Sequence, residues 1–279
     1  PLGFFFTLAL SSLPWRFTGL VLAVVLVGAT SFSLETIQTW LPSRVPSNVD
    51  LACNTLGGLI GALWAQHVGP RVFNRISQLQ HQLIAPVPHA ELGLTLLGLW
   101  LLVPLSPETL LFGAGDLREA LGLMGAMPFA AESFVLIEAS ITAFNTIAVG
   151  LILRWLIVRT RWAYVLVPLF LLLGLTVRTL ATAILIGPQE ALSWMTPGAE
   201  LGLALGLLIL ALALPLPANA RLVLAGMALM AGTVLVNLAP PNPYSQAALA
   251  AWRQGHFLNF NGLTRLVATL WPFLTLPFL

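Results

Sequence analysis

The sequence predicts an all-α fold, a polytopic helical integral membrane protein with about nine transmembrane helices. Of its 279 residues, 58% are hydrophobic and only 8% are charged, and the mean hydropathy is +0.93. Soluble domains carry about 25% charged residues, so this chain has too few charges to cover a soluble surface. Its apolar residues are spread along the whole length, which indicates several membrane spans. The composition excludes a soluble globular fold, a disordered chain and a nucleic-acid binder.

Long apolar runs predict the positions of the spans, because backbone polar groups in lipid must be satisfied within a helix. The nine runs are 1–12, 18–41, 49–68, 92–106, 133–153, 162–187, 199–215, 220–239 and 262–279. The first and fourth runs are shorter than the ~20 residues that cross a bilayer, and a re-entrant or interfacial segment is an alternative for residues 91–107.

The runs also predict the domain organisation. We expect a membrane unit of three spans at residues 1–68 and a second unit of about six spans at residues 92–279. Residues 69–91 are polar and contain two prolines, so we interpret them as a cytoplasmic connecting loop.

Arginine placement predicts the orientation, because cytoplasmic loops carry an excess of basic residues. Seven arginines follow the first, third, fifth and seventh spans, and four fall in the alternate connections. We therefore expect a multi-pass membrane protein in which the connections after these spans face the cytoplasm. The loops expected to face outward are 42–48, 107–132, 188–198 and 240–261.

The richest polar motif lies where the second span ends and the third begins. Glu35 and Gln38 are three residues apart, and Asp50 and Asn54 are four apart, so each pair shares one helix face. Arg44 lies in the short connection between them, and a short connection joins antiparallel neighbours. These five side chains can therefore converge near the outer end of one hairpin. Two interpretations remain open: a network that pins the hairpin, or a site for the polar group of a lipid, glycan or drug.

Small residues continue this motif into the third span. Gly57 and Gly61 form a GxxxG pattern, and small residues let helix backbones approach closely in lipid. We expect these two glycines to form the packing face of the helix.

Together these motifs resemble the VanZ-like family, membrane proteins named for a teicoplanin-resistance accessory. The family pattern is an E-x-x-Q helix end, an arginine in the next turn, and D-x-x-x-N leading into a glycine-rich helix. The matching residues are Glu35, Gln38, Arg44, Asp50, Asn54, Gly57 and Gly61. The resemblance covers about residues 1–68 and implies a multi-pass protein of the bacterial inner membrane that acts at the cell envelope, with teicoplanin resistance attached to one branch. The polar stretch that precedes the first span in the family is absent, so we expect an N-terminally truncated unit.

Two further groups of polar residues lie outside the resemblance. Glu138 and Arg178 fall about six and nine residues inside neighbouring spans, and their similar depth predicts an intramembrane ion pair. The last outward loop combines aromatic and polar side chains, which favour the membrane interface and could also hold a sugar or phosphate headgroup. Its candidate residues are Trp252, Arg253, His256 and Asn259.

Catalytic and metal motifs are absent from the sequence. The histidines lack the spacing of a zinc site, and no nucleophile elbow, phosphate loop or dinucleotide fingerprint occurs, so we expect no metal and no cofactor. The favoured hypothesis is a non-enzymatic module that binds a lipid-linked glycan or glycopeptide at its outer face. A membrane enzyme acting on lipid-linked glycan precursors, with Glu35 and Asp50 as acid and base, and a transporter with Glu138 and Arg178 on its path remain open.

Overall fold

The computed structural model describes residues 2–12, 16–38, 48–106, 108–122, 129–240, 242–243 and 261–279. Those residues are predominantly helical and contain no β-strand beyond one isolated antiparallel bridge between Ile84 and Ile157, so the all-α prediction is confirmed. The α-helices are α1 (Leu2–Ala9), α2 (Arg16–Gln38), α3 (Asn48–Leu83), α4 (Ala90–Trp100), α5 (Arg118–Leu121), α6 (Ala131–Leu156), α7 (Thr160–Leu185), α8 (Pro197–Ala213), α9 (Ala218–Leu238) and α10 (Asn261–Thr275).

The predicted number of spans is not confirmed. Within the described residues, the helices long and apolar enough to cross a membrane contain the spans Phe17–Ile37, Ser133–Leu156, Thr160–Leu185 and Ala218–Leu238. The segments Ala90–Leu105 and Pro197–Ala213 are apolar but shorter. The sequence-based count of nine treated every apolar run as a full crossing, whereas several of these runs form short helices.

The predicted connecting loop at residues 69–91 is mostly helical. Helix α3 has 36 residues and continues to Leu83. Residues 71–83 contain neither glycine nor proline, the two residues that most disfavour a helix, so polarity alone does not end the helix there. Pro86 and Pro88 follow, and α4 begins at Ala90.

The chain divides into two compact units, Pro1–Gln82 and Leu83–Leu279. The boundary falls inside the segment that we interpreted as a connection between membrane units.

In the N-terminal unit, α1 and α2 pack on α3 through small residues. A methyl group added to Gly58 would lie 2.7 Å from a Val27 methyl carbon, and one added to Gly61 would lie 3.1 Å from the Phe4 backbone nitrogen. Gly57 has no atom within 4 Å of such a group and is exposed. The close-packing residues are therefore Gly58 and Gly61, and the predicted role of Gly57 is corrected.

In the C-terminal unit, α6 is the central helix. Of its span, 72% is buried, against 33% for α7 and 39% for α9. Helix α8 packs on it through Gly198, Gly202 and Gly206, which recur every four residues on one face. A methyl group on Gly206 would lie 3.0 Å from the Ala143 Cα atom, so the two backbones approach closely, as small residues allow.

The chain leaves helical geometry after α4 yet stays inside the C-terminal unit. A 3₁₀ turn at Val103–Leu105 follows, and Ser106, Leu111 and Phe112 are buried without belonging to any helix. The Trp100 and Phe112 rings lie 4.9 Å apart between centroids. Non-helical backbone at membrane depth is tolerated where protein surrounds it. The predicted span 92–106 is thus an 11-residue helix followed by buried non-helical chain.

Candidate functional site

The structure describes part of the polar hairpin motif. Glu35 lies near the end of α2, and Asp50 and Asn54 lie in the first two turns of α3. The side chain of Gln38 and the whole of Arg44 lie outside the described residues, so no geometry applies to those two candidates.

A hydrogen bond fixes the register of the hairpin. The Asn54 side-chain amide donates to the Ser31 hydroxyl at 3.0 Å, and Gly58 packs against Val27 one turn away. From the Val27–Gly58 contact to the Ser31–Asn54 contact, the position on α2 rises by four residues while the position on α3 falls by four. The two helices are therefore antiparallel neighbours. The same step, continued once more, brings Glu35 level with Asp50.

This register gives the hairpin end its electrostatic character. Glu35 is half-buried and Asp50 is exposed. Two carboxylates at one level of adjacent helices disfavour each other when both are ionised, and a nearby cation or hydrogen-bond donor stabilises them. The connection between the helices contributes Arg44, whose charge has the required sign. The hairpin end is thus suited to hold a polar group.

In the C-terminal unit, Glu138 is held by the start of α8. Its side chain is 2% exposed, and the Thr196 hydroxyl donates to its Oε1 atom at 2.6 Å. The same hydroxyl accepts the Ala199 N–H at 3.1 Å and so caps α8. A carboxylate at a helix N-terminus is stabilised by the exposed N–H groups and the helix dipole.

Arg178 is held by backbone carbonyls rather than by Glu138. It is 5% exposed and donates to the Ser106 carbonyl and, at 2.6 Å, to the Thr109 carbonyl. The Glu108 carboxylate attracts it electrostatically. Among the described contacts no ion pair joins Glu138 to Arg178, so the predicted pairing is corrected. The pairing was predicted from the depths of the two residues along their helices. Those depths give no sign that the non-helical chain after α4 supplies the partners of Arg178.

Glu108 and Arg265 form an ion pair that the sequence analysis missed. Arg265 Nε lies 2.5 Å from Glu108 Oε1, and the Asn242 side chain donates to the Glu108 carbonyl at 2.9 Å. Glu108 and Arg265 are 157 residues apart, and no local spacing could have connected them. Together with Arg178 they hold the segment after α4 in place.

The remaining candidates fall outside the described part of the chain. These are Trp252, Arg253, His256 and Asn259 of the predicted outward loop. Their assignment to an interfacial anchor or a headgroup site stays a prediction.

The two regions therefore differ in what their polar groups can do. Among the described contacts Glu138 and Arg178 belong to separate hydrogen-bond networks: Glu138 contacts the start of α8, and Arg178 holds the segment after α4. The hairpin end has exposed and half-buried acidic groups in a fixed register, so it is the better candidate for binding.

Comparison with known proteins identifies the N-terminal unit. Residues 1–69 match the family described as VanZ/LLP1, and the match covers the hairpin with Glu35, Asp50 and Asn54. No curated protein and no solved structure matches the chain. The chain therefore contains a region similar to VanZ/LLP1 at residues 1–69, followed by a further C-terminal region, and its apolar, span-length helices indicate a multi-pass membrane protein.

Proposed function

We propose that the hairpin end of the VanZ-like region binds the polar part of a cell-envelope component at the outer face of the bacterial inner membrane. The ligand class is a lipid-linked glycan or a glycopeptide such as teicoplanin, and binding rather than catalysis is the activity. Arg44 meets an anionic or carbonyl group of the ligand, and Asp50 orients Arg44. Glu35, Gln38 and Asn54 line the site.

The observation that carries this proposal is the Ser31–Asn54 hydrogen bond. It sets the antiparallel register one helical turn from Glu35 and Asp50, so acidic groups from both helices reach the same level. An intramembrane network that only holds helices together would favour buried charges, whereas the Asp50 side chain is exposed.

The outward orientation is supported by charge within the same unit. Arg71 and Arg75 are exposed on the far half of α3, and Arg16 begins α2 at that same end. Basic residues concentrate on the cytoplasmic side, which supports an exterior position for the opposite, hairpin end.

The test compares charge-neutralising variants of the full chain. Arg44→Gln and Asp50→Asn remove the charge and keep a polar side chain, and we expect each to weaken binding by at least tenfold. Arg75→Gln is the matched control, since it removes one exposed charge from α3 at the other end. Binding of teicoplanin and of a lipid-linked disaccharide to the detergent-purified protein provides the measurement, and the teicoplanin concentration that stops growth of a host cell provides a second.

The variants must also insert and fold, which membrane fractionation and thermal melting establish. Wild-type binding by a folded Arg44→Gln protein would reject the proposal. Loss of binding in Arg75→Gln to the same degree would show a general charge effect and would reject it too.

A further inference from the structure

Two buried arginines meet at one end of the C-terminal unit. Arg154, near the end of α6, is 6% exposed, and Arg221, in the first turns of α9, is 9% exposed. Both reach the turn between α8 and α9, Arg154 through the Leu214 carbonyl and Arg221 through the Leu216 carbonyl, so two like charges meet there. Two cations in a poorly solvated place are costly without compensating negative charge.

Each guanidinium nitrogen of Arg154 donates a hydrogen bond within the protein. Its Nε donates to the Leu214 carbonyl at 3.2 Å, Nη1 to the Ile157 carbonyl at 2.8 Å and Nη2 to the Thr160 hydroxyl at 2.9 Å. These carbonyls lie at the C-terminal ends of α8 and α6, where the helix dipole favours a cation. Arg154 is therefore a structural residue that ties three helices together.

Arg221 is in the opposite situation. One guanidinium nitrogen, Nη1, donates to the Leu216 carbonyl at 2.5 Å, which lies directly before the cap of α9. Its Nε atom is buried without a hydrogen-bond partner. Arg221 also lies at the N-terminal end of its helix, where the dipole disfavours a cation.

The start of α9 adds to this positive character. Its N-cap is Pro217, which provides no side-chain acceptor, and its first turn contains no acidic residue. The first N–H groups of a helix have no intrahelical acceptor, and residues 217–220 are exposed. The Arg221 guanidinium, whose Nε has no partner, and an accessible helix N-terminus without a side-chain cap thus lie at the same turn.

Arginines outnumber acidic residues among the described charges at this end of the unit. Arg159 and Arg161 are exposed at the start of α7, which Arg154 joins to this end through Thr160. Glu91, at the start of α4, is the acidic residue of this end among the described positions. Clustered arginines beside a transmembrane bundle attract anionic lipid headgroups.

We propose that the turn between α8 and α9 binds a phosphate group, that of an anionic membrane lipid, between the Arg221 guanidinium and the first N–H groups of α9. The phosphate oxygens accept hydrogen bonds from the Arg221 guanidinium and from the helix end, and the headgroup offsets the repulsion between Arg154 and Arg221. This site lies in the C-terminal region and is independent of the proposed hairpin function.

The test measures thermal melting of the full chain in neutral detergent with added phosphatidylglycerol, phosphatidylcholine or inorganic phosphate. We expect phosphatidylglycerol to raise the wild-type melting temperature by about 5 °C at saturation and phosphatidylcholine to raise it less. Arg221→Gln should lose this response. Arg161→Gln, which removes an exposed arginine at the same end, should keep it.

A second variant covers the case in which Arg221→Gln does not fold. Asn219→Asp puts a carboxylate in the exposed first turn of α9, so we expect a higher melting temperature without lipid and a smaller response to phosphatidylglycerol. An Arg221-dependent response to inorganic phosphate as well would identify the ligand as any phosphate, and a response to lipid alone would identify the headgroup. A response in Arg221→Gln or Asn219→Asp equal to wild type, or none in wild type, would overturn the proposal.

Discussion

The two units of this chain stabilise their charged residues in different ways. In the VanZ-like unit, the hairpin end carries an exposed Asp50 and a half-buried Glu35, on helices of which the α2 span is only 22% buried. In the C-terminal unit, Glu138 and Arg178 are almost fully buried. Burial by itself therefore does not distinguish the charges that we propose bind a ligand from the charges that hold the fold.

The difference lies in what compensates each charge. In the C-terminal unit the described partners are the Thr196 hydroxyl at the start of α8 for one carboxylate oxygen of Glu138, and the Ser106 and Thr109 carbonyls for Arg178. These charges hold the fold. In the hairpin, the basic residue nearest to the acids in sequence is Arg44 of the connection, and we propose that a ligand binds there.

The largest expected loss of stability is at Arg178, in the C-terminal unit. Arg178→Gln removes the donors of two buried carbonyls and the cation beside Glu108, so we expect the free energy of unfolding to fall by about 3 kcal/mol. Titration with a denaturing detergent measures it. Arg161→Gln, an exposed arginine that stacks on Trp162, is the control and should leave the stability unchanged.

The same variant tests the corrected pairing. Because Glu138 and Arg178 share no partner among the described contacts, the losses of Glu138→Gln and Arg178→Gln should add to within about 0.5 kcal/mol. A coupling free energy well above that value would mean that the two charges interact after all.

A smaller effect is expected in the VanZ-like unit. Gly58→Val adds atoms where Val27 is already in contact, and overpacking costs about 1–3 kcal/mol. Gly57→Val adds the same atoms one position earlier, where nothing lies within 4 Å, and should change the stability little. Melting of both variants in detergent gives the comparison, and equal losses would contradict the packing that the structure describes.

Sequence was sufficient for the fold class and for the hairpin. Composition predicted helices in a membrane, and the i, i+3 and i, i+4 spacings around Glu35 and Asp50 predicted two polar faces at one turn. Both inferences depend on local periodicity, which a sequence displays directly.

Sequence was insufficient where a contact depends on distant segments. The partners of Arg178 lie 72 and 69 residues away, in chain that departs from helical geometry after α4. The GxxxG pattern likewise located a packing helix but favoured Gly57, because a repeat does not determine which face meets the neighbour. The continuation of α3 to Leu83 was missed because polar residues were interpreted as a loop.

Our central proposal is that the hairpin end of the VanZ-like region lies at the outer face of the membrane. Position 49 lies at that end of α3 and position 75 on its far half, about 39 Å away along the helix, more than the ~30 Å of a hydrocarbon core. Val49→Cys and Arg75→Cys, each made with Cys53→Ser, would be treated with a membrane-impermeant maleimide on intact cells. We expect Val49→Cys to be labelled in intact cells and Arg75→Cys to be labelled only after permeabilisation. The reverse pattern would contradict it.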